Sequence, residues 1–142
     1  MFQSRSGKTR AIEQILEKHT SSNKVIAALV SNEEGLPIAS RVENKTSEYL
    51  LSAMSATILS TAAAAALRLE MGSPEIIRIE LKTGTLLIRE IREHACLLLV
   101  VKSDANLAYF DIEIKKMIGE IDRVLFPDLF SSEKSHKTRA SH

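Results

Sequence analysis

Cys96 is the chain's only cysteine, so no internal disulfide can form. That usage fits a reducing compartment, and a cytoplasmic location is the expectation. A surplus of charge of one sign is also missing: 19 basic residues face 18 acidic ones, for a net charge of +1. A dedicated nucleic-acid binder needs excess positive charge to displace counterions, so that class is disfavoured. The first ten residues, MFQSRSGKTR, are polar and basic with no apolar segment behind them, and so lack the form of a signal peptide. No internal repeat is present. What remains is 142 residues, 44% hydrophobic and 26% charged, the composition of one ordinary globular domain. A chain of this size can bury a core without disulfides or metal.

The chemistry of catalysis is equally scarce. Gly7-Lys8-Thr9 resembles the end of a phosphate-binding loop, but the position that needs the first glycine is Phe2 and no strand can precede it. The histidines, His19, His94, His136 and His142, have no metal-ligand partner at helical or knuckle spacing. No serine has nucleophile-elbow spacing. Cys96 lies in an apolar run with no local charge to activate it, which marks an inert core thiol. The expectation is a protein without catalytic, cofactor or metal sites.

The pattern of elements is clearer. Ile12, Ile15 and Leu16 fall on one face of a short amphipathic helix over 10–19, leaving 1–9 as a flexible arm. The apolar run 25–30 reads as a strand covered on both faces. Asn32-Glu33-Glu34-Gly35 reverses the chain into a second strand over 36–42, where Pro37 suits an edge. Thr46 or Ser47 could cap a long helix over 48–71, stopped by Gly72-Ser73-Pro74. Strands over 76–81, 85–91 and 95–101 follow, joined by turns too short for anything but antiparallel hairpins. Asp104 or Asn106 opens a last helix to residue 125, with an apolar stripe of Leu107, Phe110, Ile114, Met117, Ile118, Ile121 and Val124. The domain is expected over 10–126, with 127–142 a flexible, mildly basic tail. The order is α-β-β-α-β-β-β-α, an α+β class.

The long helix is the informative element. Residues 49–67 carry no charge, close to the length of a membrane span. Ser52, Ser55, Thr57, Ser60 and Thr61 interrupt the stretch, which favours a buried helix instead. Leu51, Met54, Ile58, Ala62, Ala65 and Leu69 make one face. Ser52, Ala56, Ser60, Ala63 and Leu67 make a second, uncharged face of mostly small residues. A helix on a monomer's sheet needs one apolar stripe, so the second face predicts close contact with another helix.

The hairpin ALVSNEEGLPIASR (28–41), the small-residue helix MSATILSTAAAAALRLE (54–70), and the segments IIRIELKTGTLLIREI and CLLLVVKSDANLAYF together resemble the roadblock/dynein-light-chain family, in its MglB-like branch. The resemblance covers about 12–125. It implies a roadblock fold, related in layout to profilin and longin domains but different from them in element order or lengths. Its five-stranded antiparallel sheet, in the order 2-1-5-4-3, lies between one long helix and two shorter ones. It also implies a homodimer formed through the middle helix and the edge strand, and binding of a Ras-like, MglA-like small GTPase, as regulator or as scaffold. No residue marks a catalytic arginine; Arg68 is only a surface candidate. The alternative is a structural adaptor of the dynein-light-chain type. Two-fold pairing of the edge strand about Ile79 would set Ile77 against Leu81 and Arg78 against Glu80, opposite charges facing each other.

Overall fold

A computed structural model describes residues 6–42 and 47–127. The elements follow the expected order: α1 (Gly7–His19), β1 (Val25–Asn32), β2 (Pro37–Val42), α2 (Glu48–Leu69), β3 (Ile77–Glu80), β4 (Gly84–Ile91), β5 (Ala95–Lys102) and α3 (Leu107–Leu125). The strands form one antiparallel sheet in the order β2-β1-β5-β4-β3. The most apolar strands, β1 and β5, are interior and pair with each other, Leu29 opposite Leu98 and Ala28 opposite Leu99.

Strand alternation sorts side chains onto two unequal cores. Ala28, Val30, Leu87, Leu97 and Leu99 face α1 and α3, where Ile12, Leu16, Phe110, Ile114, Met117 and Ile121 complete a thick apolar layer. Leu29, Ile88, Cys96 and Leu98 face the other side and meet α2 through Leu59, with Leu51 and Ile58 at the margin. That second layer is thin because α2 offers mainly small side chains.

Caps set most element ends. The α1 helix starts at Gly7, three residues before the expected start. Ser6 caps it by accepting from the Thr9 amide at 3.0 Å, and Thr9 Oγ1 donates to the Ile38 carbonyl at 3.1 Å. Gly7-Lys8-Thr9 is thus the first turn of a helix tied to β2. Ser47 caps α2, and Asn106 rather than Asp104 caps α3. The α2 helix ends two residues short of Met71 because Glu70 turns left-handed, at φ 56°. The edge strand β3 is shorter than expected by one residue at each end. The other candidate cap, Thr46, and the segment 128–142 of the expected tail lie outside the described residues.

Two glycines are dictated by space. At Gly35, φ is +84° and a Cβ would sit 3.3 Å from Ala53 Cα, so the β1–β2 turn lies directly against α2. At Gly84 a Cβ would sit 2.7 Å from the Val101 carbonyl oxygen. The β4–β5 turn places Arg92 and Glu93 at positive φ without glycine. Arg92 Nε donates to both carboxylate oxygens of Asp122, at 2.7 and 2.9 Å, which anchors that turn to α3.

Candidate interaction surface

The phase of α2 differs from the sequence reading. Its buried residues are Ser52, Ser55 and Leu59, a stripe lying between the two faces read from sequence. Met54, expected on the core face, is 52% exposed, and Leu69 is also exposed. Ser52, expected on the outer face, is fully buried against its own sheet, and its hydroxyl has no hydrogen-bond partner. The reason is steric: Gly35 approaches the backbone of α2 at Ser52, Ala53 and Ala56, and only small side chains allow that approach. Ala56 is accordingly half-buried over Gly35, and Ala63 is half-buried as well.

The remainder of α2 is uncovered, so the expected buried helix is buried along one stripe only. Leu50, Ala53, Met54, Thr57, Ser60, Thr61, Ala64, Ala65 and Leu67 are exposed, and no charge interrupts them until Arg68. Thr57 and Thr61 turn their hydroxyls back onto the helix carbonyls of Ala53 and Thr57, both at 2.8 Å. The outward face therefore presents methyl and methylene groups, with little free polarity. By length and composition α2 is the one helix among the described residues that could cross a membrane. Its buried stripe, with Ser52 and Ser55, packs on the chain's own sheet.

This surface continues past the end of α2. Ala63, Ala66, Leu67, Glu70, Gly72 and Ser73 line a shallow cavity of about 420 Å³, and Leu69 and Met71 stand exposed beside it. Next comes β3, an edge strand as expected. Ile77 and Ile79 are half-buried toward α2; Leu81, just past the strand end, is 56% exposed. Arg78 and Glu80 point to the opposite side of the sheet. There Arg78 Nη2 donates to both Asp111 oxygens at 3.1 and 3.2 Å, so it already has an intrachain partner on α3.

The most buried polar cluster was not legible beforehand. His19, at the end of α1, places Nδ1 2.8 Å from Glu113 Oε1 and Nε2 2.9 Å from Glu120 Oε2. Both contacts are hydrogen bonds only when the ring carries two protons. The His19 hydrogen bond, helped by Lys116, holds the Glu113 carboxyl below its ordinary range against the opposing effect of burial. Burial raises Glu120 as well, but His19 and Lys18 outweigh it and the net shift is downward. Glu113 and Glu120 stand two turns apart on one face of α3, a spacing visible in sequence, but nothing local points from them to His19. The cluster fastens α1 to α3. Among the described residues no group of three or more His, Cys, Asp or Glu could hold a metal ion. Burial pushes the Cys96 thiol up to about 11, outweighing the lowering influence of the neighbouring Ser55 and Ser31.

Comparison with known proteins identifies this architecture. The Roadblock/LC7 domain model matches residues 11–102. The chain is similar in structure to MglB of Myxococcus xanthus, with a TM-score of 0.79 at 13% identity, covering 87% of this chain and 94% of that one. The gliding protein MglB of Thermus thermophilus gives a TM-score of 0.76 at 19% identity, covering 84% and 91%. MglC of Myxococcus xanthus gives 0.58 at 15% identity, covering 79% and 97%. No curated protein sequence matches. At such identities the structures speak for the fold, while the domain model spans most of the chain. On the matched domain, the shared strand order and the placement of one long helix against two, this chain belongs to the Roadblock/LC7 family and is MglB-like in fold.

Proposed function

We propose that this chain is a non-enzymatic regulator or scaffold that dimerises with itself and binds a Ras-like, MglA-like small GTPase. The observation that carries the proposal is the uncharged outward face of α2, largely exposed and continuous with the open edge of β3. A monomer has no structural need for such a face, and contiguous exposed apolar surface of this kind marks an interaction site. An unpaired sheet edge is also an aggregation hazard, which self-pairing removes.

The proposed self-contact uses Ser60, Ala63 and Leu67 of α2, with Ile77, Ile79 and Leu81 along β3; Ala56 lies deeper, at its margin. Pairing about Ile79 would bring Glu80 of a second copy opposite Arg78, sharing a guanidinium that Asp111 already engages. An MglB similar to this chain is described as having a tetrameric arrangement, which supports self-association here. The GTPase would bind across the paired α2 helices and adjoining loops. A partner that prefers one switch conformation shifts the GTPase toward it. It can also position the GTPase's own groups for hydrolysis without donating a residue.

Calorimetry against small GTPases of the same organism, loaded with GDP or with a GTP analogue, tests the proposal. The expected result is a clear preference for one nucleotide state, lost when the chain is made monomeric. Equal affinity for both states would favour the adaptor reading, because such binding shifts no equilibrium.

A further inference from the structure

The two layers that cover the sheet are held in different ways. On one face α1 and α3 bury large apolar side chains. Polar links fasten that layer: His19 to Glu113 and Glu120, Thr9 to the Ile38 carbonyl, Arg78 to Asp111 and Arg92 to Asp122. On the other face, three of the 22 residues of α2 are buried, and Leu59 is the one apolar side chain among them beside Ser52 and Ser55. The hydroxyls of Ser55, Thr57 and Thr61 donate to carbonyls of α2 itself, at 3.1, 2.8 and 2.8 Å, and so do not fasten the helix to the sheet. Beneath the helix, Ser31 Oγ and Ser52 Oγ are wholly buried, out of reach of water and without a hydrogen-bond partner. Ser31 stands opposite Cys96, which faces α2 with Leu29 and Leu98, so both hydroxyls belong to the layer between helix and sheet. A buried hydroxyl without a partner carries a cost that is relieved when water reaches it. After α2, residues 70–76 hold no helix or strand, and Glu70 and Gly72 are left-handed, at φ 56° and 87°.

We propose that α2 is a detachable layer, which lifts from the sheet as a unit about the connection 70–76 while the sheet, α1 and α3 stay folded. Lifting gives up little apolar burial, and it lets water reach Ser31 and Ser52. Elements with few buried apolar contacts are the ones that open below the free energy of global unfolding. The movement takes Leu59 away from the sheet and uncovers Leu29, Ile88, Cys96 and Leu98. The outward face of α2 is also the surface proposed above for partners, so a partner that engages the raised helix draws the chain toward that state. The opening belongs to a single chain and does not depend on the GTPase reading.

Cys96 is the chain's only cysteine, is 3% exposed and lies under this layer, so its labelling reports the opening. The test is native-state labelling of the dilute full chain with a maleimide across low urea concentrations, alongside amide hydrogen exchange. A sub-global opening exposes little surface and depends weakly on urea, whereas global unfolding depends on it steeply. In water, Cys96 labelling and α2 exchange should be about tenfold or more faster than global unfolding allows, with a shallow urea slope. The amides of Ile114, Met117 and Ile121 in α3 should exchange only through global unfolding. Ser31→Ala and Ser52→Ala each remove a hydroxyl that the closed layer leaves unpaired, and each should slow labelling several-fold. Ser31→Ala isolates that effect, because on a strand it brings no gain in helix propensity. Two results would overturn the proposal: Cys96 and α2 sharing the rate and urea slope of α3, or labelling that neither serine variant slows.

Discussion

Replacing His19 with alanine removes the shared partner of two carboxylates, and the structure sets the size of the loss. The His19 side chain is 5% exposed and that of Glu113 11%, so the carboxylate at 2.8 Å would be left desolvated. Breaking one side of a buried ion pair costs roughly 3–5 kcal/mol. Lys116 Nζ, 3.5 Å from Glu113, still offers some charge, which places the cost near the lower end. Glu120 is 32% exposed and adds at most about 1 kcal/mol, because water screens it. A total of about 3 kcal/mol corresponds to roughly 10 °C in melting temperature for a domain of this size. The pH dependence carries a signature that simple loss of packing lacks. Glu113 and Glu120 have folded-state values held below their ordinary 4.5. In the wild type their contribution is therefore complete above 4.5 and is lost as pH falls through the lower folded values. In His19→Ala the burial of Glu113 acts without its main counterweight and moves its value upward, so the variant loses less stability in acid. Urea unfolding from about pH 6 down to about pH 3 should show the gap narrowing. A gap that stays constant over that range would refute a charged link between α1 and α3.

Three further outcomes are expected. Gly84→Ala places a Cβ 2.7 Å from the Val101 carbonyl oxygen, so β4 must shift, and urea unfolding should show a loss of about 1–3 kcal/mol. Ala64→Glu sets a charge in the middle of the outward face of α2, where nothing in the chain packs on it. Sedimentation should show a shift toward monomer while circular dichroism stays unchanged, and a dimer unaffected at micromolar concentration would exclude that face. With Cys96 at about 11, roughly a thousandth of the thiol is ionised at about pH 8, so alkylation in native buffer should be slow and accelerate sharply on unfolding.

The sequence carried the order and type of every element because period and punctuation agreed. Continuous apolar runs placed β1 and β5 inside, and Gly35, Gly72 and Pro74 marked the breaks. The phase of α2 was not legible, for a definite physical reason. A helix so rich in alanine has nearly equal apolarity on several faces, so a stripe chosen by side-chain size follows leucines and methionines. The sheet selected by space instead, and it took Ser52 and Ser55 because Gly35 brings the β1–β2 turn against the helix backbone. The α1 helix starts earlier than its apolar stripe because the Ser6 cap is local to Thr9, and the Thr9–Ile38 hydrogen bond that ties this first turn to β2 is made only in the fold. The His19 cluster was hidden because it joins residues from elements distant in the chain.

The strand order also bears on how the chain folds. The β1–β2 hairpin and the β3–β4–β5 meander each close over short turns and can form locally. The seam between β1 and β5, from Val25 opposite Val101 to Asn32 opposite Ala95, joins opposite ends of the domain. Closing so long a loop costs little extra in equilibrium stability, since each doubling of length adds only about 0.6 kcal/mol. It does slow the search, because non-local pairing must be reached before it is rewarded. The central seam is therefore the expected rate-limiting assembly. Leu98→Ala, on that seam, should slow refolding in stopped-flow measurements, whereas truncations on α2 should act mainly on unfolding.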